Sequence, residues 1–87
     1  MRQRIDVRVI PEIPEADYAA FRSMIKLLPP SYDAWRLYHD MALRKRGNDA
    51  VVQAVTIDQF RNHLQDGAPA TLGELLRCAT RLAAREV

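Results

Sequence analysis

The chain has 87 residues, 48% of them apolar, and thirteen Lys and Arg against eleven Asp and Glu leave a net charge of +2. A chain of this length holds a single small domain, 1–87, with a modest core, because such a domain hides only roughly 60–65% of the surface its unfolded form exposes. So small a charge sets up no large steering field by itself, no apolar run reaches the ~18 residues of a membrane span, and the start "MRQRIDVRV" lacks the apolar centre of a secretory signal; a cytoplasmic protein without membrane contact is expected.

Residues 4–10, "RIDVRVI", alternate polar and apolar, with Ile5, Val7 and Val9 on one side and Arg4, Asp6 and Arg8 on the other. That is the pattern of a strand with one wet face. Pro11 and Pro14 end it, and "PEADYAAFRSMIKLL" continues with Tyr18, Phe21, Ile25 and Leu28 at helical spacing until Pro29 and Pro30. Ser31 is placed to cap a second helix, "SYDAWRLYHDMALRKRG", which ends in Arg44, Lys45 and Arg46 with Gly47 just beyond. Its apolar face is expected to comprise Ala34, Trp35, Leu37, Tyr38, Met41 and Ala42.

After "GNDA" the stretch "VVQAVTI" reads as a second strand, and the period changes at Thr56. Thr56 with Gln59 has the spacing of a capping box, and Val55 with Phe60 that of a hydrophobic staple, so a short helix starts there with Ile57, Phe60 and Leu64 as its stripe. Gly67 and Pro69 close it near Asp66. Thr71 and Glu74 repeat the box, and "TLGELLRCATRLAARE" puts Leu72, Leu75, Leu76, Ala79, Leu82 and Ala83 on one face with Arg77, Arg81 and Arg85 opposite.

These elements predict an α+β fold, a two-stranded ribbon with four helices in the order β-α-α-β-α-α. The halves echo one another: Tyr18 aligns with Ile57, Phe21-Arg22 with Phe60-Arg61 and Ser31 with Thr71, which suggests an internal pseudo-repeat. Within the second half, "VVQAVTI", Asp58, Gly67 and "TLGELLRCA" resemble the ribbon-helix-helix DNA-binding family over residues 51–86. The resemblance implies a two-stranded ribbon lying in the major groove of duplex DNA and a helix N-terminus near the phosphates. A transcriptional regulator of that kind would contact DNA through Arg8, Gln53, Arg77 and Arg81. The second strand offers few hydrogen-bonding side chains for reading bases, since apart from Gln53 and Thr56 it is Val, Ala and Ile.

Catalytic chemistry finds no foothold in the pattern. Cys78, alone, makes neither an intramolecular disulfide nor a Cys-rich zinc site and reads as a small buried filler. His39 and His63 lack ligand partners three or four residues away, His39 lying at the edge of the second helix's apolar face. Glu12 with Glu15, and Asp58 with Asp66, read as helix-start and solvent acids. Gly47 and Gly67 serve as helix stops and Gly73 lies in a first turn, so no glycine-rich phosphate loop is present. No cofactor or metal is expected. The stripe Arg77, Arg81, Arg85 is the clearest candidate for contact with an anion or an acidic partner. The sequence therefore predicts a non-enzymatic protein-interaction or assembly module, with the DNA-binding regulator as the alternative. A strand apolar on both faces further predicts a homodimer at micromolar concentration.

Overall fold

A two-stranded parallel sheet with four helices is the frame of the protein in a computed structural model that describes residues 5–65 and 67–85. In chain order it runs β1 (Val9–Glu12), a 3-10 turn (Glu15–Asp17), α1 (Tyr18–Met24), α2 (Tyr32–Arg46), a second 3-10 turn (Gly47–Asp49), β2 (Val51–Ala54), α3 (Ile57–His63) and α4 (Leu72–Arg85). The α+β class is as expected, but two 3-10 turns enter the order, and the sheet is not a ribbon. Val9 pairs with Val51 and Glu12 with Ala54 in parallel register. Parallel neighbours need a crossover, and here α1 and α2 supply it.

The first strand begins later than its alternation predicts. Asp6 accepts the Arg8 N–H at 2.9 Å, and its backbone carbonyl accepts the Val9 N–H at 3.0 Å, so Val7 and Arg8 form a turn. A short acidic side chain that bonds its own backbone competes with a strand ladder. Pro11, expected to end the strand, lies inside it instead. Residues on β1 alternate in direction, and Arg8 and Glu12 carbonyls face β2, so Pro11 faces the other edge, where its missing N–H costs no ladder bond. Arg4 lies outside the described residues, as do Asp66 and Glu86.

The first long helix is also shorter than its spacing suggests. Ile25 takes an extended conformation and ends α1, although its N–H still bonds the Phe21 carbonyl at 2.7 Å. The turn buries both Ile25 and Leu28 while exposing Leu27, and Leu28 precedes a proline, which disfavours helix. The Ser31 cap and the first capping box form as expected, and of the second box the structure gives the half made by the Thr71 hydroxyl. Ser31 accepts from the Ala34 N–H at 3.1 Å, Thr56 and Gln59 form the full reciprocal box, and the Thr71 hydroxyl accepts from the Glu74 N–H at 3.1 Å. Gly47 and Gly67 adopt φ of 62° and 79°, the left-handed region that side chains disfavour.

The core gathers Val9, Ile13, Tyr18, Phe21, Ile25, Leu28, Trp35, Val55, Phe60, Leu75, Cys78 and Ala79 into one cluster. Phe21 and Phe60 meet there with ring centroids 5.3 Å apart and planes tilted by 34°. Helix α4 packs across both strands and against α3, while α2 packs on β1. Long polar ties bind these layers. The Asp6 N–H donates to the Thr80 hydroxyl at 3.1 Å, and Asp17 accepts the Ile57 N–H at the start of α3 at 3.0 Å.

Candidate functional site

The second helix turns a different face inward from the one its apolar residues define. Trp35 and His39 are buried, whereas Leu37, Tyr38 and Met41 are 67%, 65% and 63% exposed. His39 replaces the missing apolar bulk by stacking on Trp35, with ring centroids 4.8 Å apart and planes 22° from parallel. Tyr18 and Tyr32 complete the cluster, each within 6.0 Å of the Trp35 ring. The Tyr18 hydroxyl donates to the Pro29 carbonyl at 2.6 Å and the Arg22 guanidinium donates to the same oxygen at 3.2 Å, fixing the Pro29-Pro30 segment.

That fixed segment is one wall of an open groove of about 510 Å³, lined by Leu27, Leu28, Pro29, Pro30, Ala34, Trp35, Tyr38 and Leu72. Every lining residue is apolar apart from the phenol of Tyr38 and the indole N–H. Leu27 is 83% exposed at the rim and Leu72 enters from the start of α4. The exposed face of α2 continues from the groove through Tyr38 to Met41 and Leu37. Ala34 and Met41 are two turns apart, about 10 Å along the axis. Beyond Met41 the surface becomes basic, with Arg44, Lys45 and Arg46 exposed in the last turn.

The residues singled out for anion or DNA contact do not form one basic stripe. Arg77 is half-buried and donates to the Glu74 carboxylate at 3.0 Å. Arg81 is half-buried and its enclosed Nε makes no hydrogen bond among the described residues, and only Arg85 of the three is exposed. Gln53 is buried, on the sheet face shared with Val9 and Val55, and its side-chain amide donates to the Ala54 carbonyl at 3.0 Å. Arg8 is exposed and paired with Asp6, whose carboxyl it holds below the usual range by a side-chain hydrogen bond.

The histidines are not solitary. His63 Nε2 lies 3.0 Å from Glu74, which is only 5% exposed on its side chain and also takes Arg77. Sequence spacing missed this pair because its members sit on two helices; the second capping box, which drew Glu74 as a local residue, was the available signal. His39 Nε2 is enclosed, without a hydrogen bond, 3.6 Å from Glu12. Burial pushes the His39 pKa down from its ordinary 6.5. Glu12 and Glu15 separate, Glu12 lying in β1 and bonding Arg36 at 3.2 Å. Cys78 is fully buried, its thiol directed to the Gln59 carbonyl at 3.8 Å, and burial raises its pKa. Such a thiol is a poor nucleophile at neutral pH. Among the described residues no group of three or more His, Cys, Asp or Glu converges to hold a metal, and no helix is long and apolar enough to cross a membrane. Comparison with family models, with curated proteins and with solved structures finds no match.

Proposed function

We propose that the protein is a non-enzymatic interaction module whose working surface is the groove at Trp35 and the outer face of α2. One observation carries this reading: Leu37, Tyr38 and Met41, three of the apolar residues of α2 that its sequence would put in the core, are on the surface, joined to an apolar groove. Isolated exposed apolar side chains are ordinary, but a contiguous apolar surface on a small protein is characteristic of a binding face. The complementary partner is an amphipathic helix, which lays an apolar row into such a groove. The basic end of α2 favours acidic residues flanking that row, as charge complementarity guides register and encounter.

Trp35 is the sole tryptophan and lines the groove, so its emission reports occupancy. Displayed amphipathic helices with an apolar row and acidic flanks, selected against the protein, are expected to shift Trp35 fluorescence and to lose binding when Tyr38→Glu or Leu27→Glu is introduced. Selected helices indifferent to both substitutions would remove the groove from the function. Tight duplex-DNA binding with a steep salt dependence, as phosphate contacts require, would replace this reading with nucleic-acid recognition.

A further inference from the structure

A parallel sheet of two short strands is an incomplete structure by the ordinary rules of sheets. Parallel strands are normally interior elements covered on both faces, and two strands alone are marginal in water. The two outer edges of this sheet differ sharply. At the β1 edge, Pro11 has no N–H and the Val9 N–H is taken by Asp6. The same edge faces a groove lined by Ala42, Lys45 and Arg46 of α2 and Leu76 of α4. These are devices by which proteins blunt a strand edge.

Among the described residues the β2 edge has no equivalent. Val51 and Val55 donate to the Arg8 and Glu12 carbonyls of β1 at 2.8 and 3.0 Å. Because a strand's backbone groups alternate between its two sides, the N–H and C=O of Val52 and the N–H of Ala54 point away from β1. No described segment pairs with that side. The strand Val-Val-Gln-Ala contains no proline and no charge. Its residues Val51 and Val52 are 42% and 45% exposed beside the open edge.

We propose that β2 is the seam of a homodimer, two copies adding β2 to β2 antiparallel about a two-fold axis at Gln53 and so joining two two-stranded sheets into one of four. A closed two-fold contact uses the same patch on both copies, and two identical strands meeting edge to edge around such an axis must run antiparallel. With the axis at Gln53, Val52 faces the partner's Ala54 and Ala54 faces the partner's Val52. Each of those pairs exchanges N–H and C=O bonds, so the outward groups of both strands are used. The Ala54 carbonyl, already taking the Gln53 amide, has a second lone pair for this. The partner is therefore a second copy of this chain, and the inference stands apart from the groove at Trp35.

Sedimentation from micromolar to sub-millimolar concentration tests it, read with amide hydrogen exchange. The intact chain is expected at twice 10.0 kDa, with the Val52 and Ala54 amides protected in step with dimer formation. Val52→Lys places a charge at the edge and Val52→Pro deletes the outward N–H as Pro11 does on β1. Both are expected to sediment as monomer with an unchanged circular dichroism spectrum. Should Val52→Pro fail to fold, Val52→Lys and the exchange of the intact chain decide. A monomer at every concentration overturns the proposal, as does a dimer that survives Val52→Lys. A dimer broken by Tyr38→Glu and not by Val52→Lys would place self-association on the α2 face instead, leaving the groove reading intact.

Discussion

Single side chains in this protein do more than their local context suggests, and His39 is the clearest case. It is enclosed against Trp35, and its lowered pKa follows first from burial, with Glu12 pulling it up, Arg36 pushing it down and Asp40 pulling it up. A histidine whose folded pKa lies below its unfolded one binds fewer protons when folded, so its neutral burial supports the fold above the unfolded pKa and that support is lost as pH falls through it. The protein is therefore expected to lose more thermal stability between about pH 7 and pH 5 than a His39→Gln variant, since histidine alone titrates there unperturbed. Equal losses in both would show that His39 is not a source of the acid sensitivity. Caps behave more simply. Thr56→Ala removes the hydroxyl that accepts the Gln59 N–H while leaving the backbone N–H of residue 56 to donate to the Gln59 side chain, and should cost about 1 kcal/mol in denaturant melts. An unchanged midpoint would mean α3 is held by Phe60 and Asp17 alone.

Element by element, the chain was most legible where the signal is local. Caps, glycine stops and the starts of α2, α3 and α4 follow from hydrogen-bonding residues within a few positions, which physics settles at short range. The strand at the N-terminus starts later than its alternation predicts because Asp6 captures its own backbone, which alternation alone does not reveal. The face of α2 is hidden for another reason: the helix has apolar residues over a broad arc, and periodicity does not say which part of it the rest of the protein covers. Trp35 and His39 are the residues turned inward, where they join Tyr18 and Tyr32 in one aromatic cluster. This division has a measurable consequence. Trp35→Ala should destabilise the protein by about 3–5 kcal/mol, as truncation of a buried aromatic does. The pair Leu37→Glu and Met41→Glu, both on the exposed side, should together change stability by less than about 1 kcal/mol. A large loss from the glutamates would show that this face is covered in solution.

At the scale of the whole molecule, what the sequence hid is the set of polar ties between distant segments: Asp6 with Thr80, Asp17 with Ile57, and His63 with Glu74. None has a periodic signature, since each joins residues on different elements, and these ties also explain why the supposed basic stripe of α4 is not an open one. Glu74 is the centre of the most buried tie, holding Arg77 from its own helix and His63 from α3. Removing the carboxylate leaves cationic Arg77 half-buried beside a vacated site, and stripping one partner from an enclosed ion pair is costly chiefly because the other stays desolvated. Arg77 retains some contact with water, which lowers the cost below that of a fully buried pair. Glu74→Ala is therefore expected to destabilise the fold by roughly 2 kcal/mol, with Arg77→Ala less harmful because it leaves His63 as a partner for the acid. A double variant Glu74→Ala with Arg77→Ala should recover part of the loss, since it removes the stranded charge together with its vacated site. Additive losses in the double variant would mean that the carboxylate acts through the start of α4 and its tie to α3 rather than through Arg77, a distinction that a double-mutant cycle measures directly.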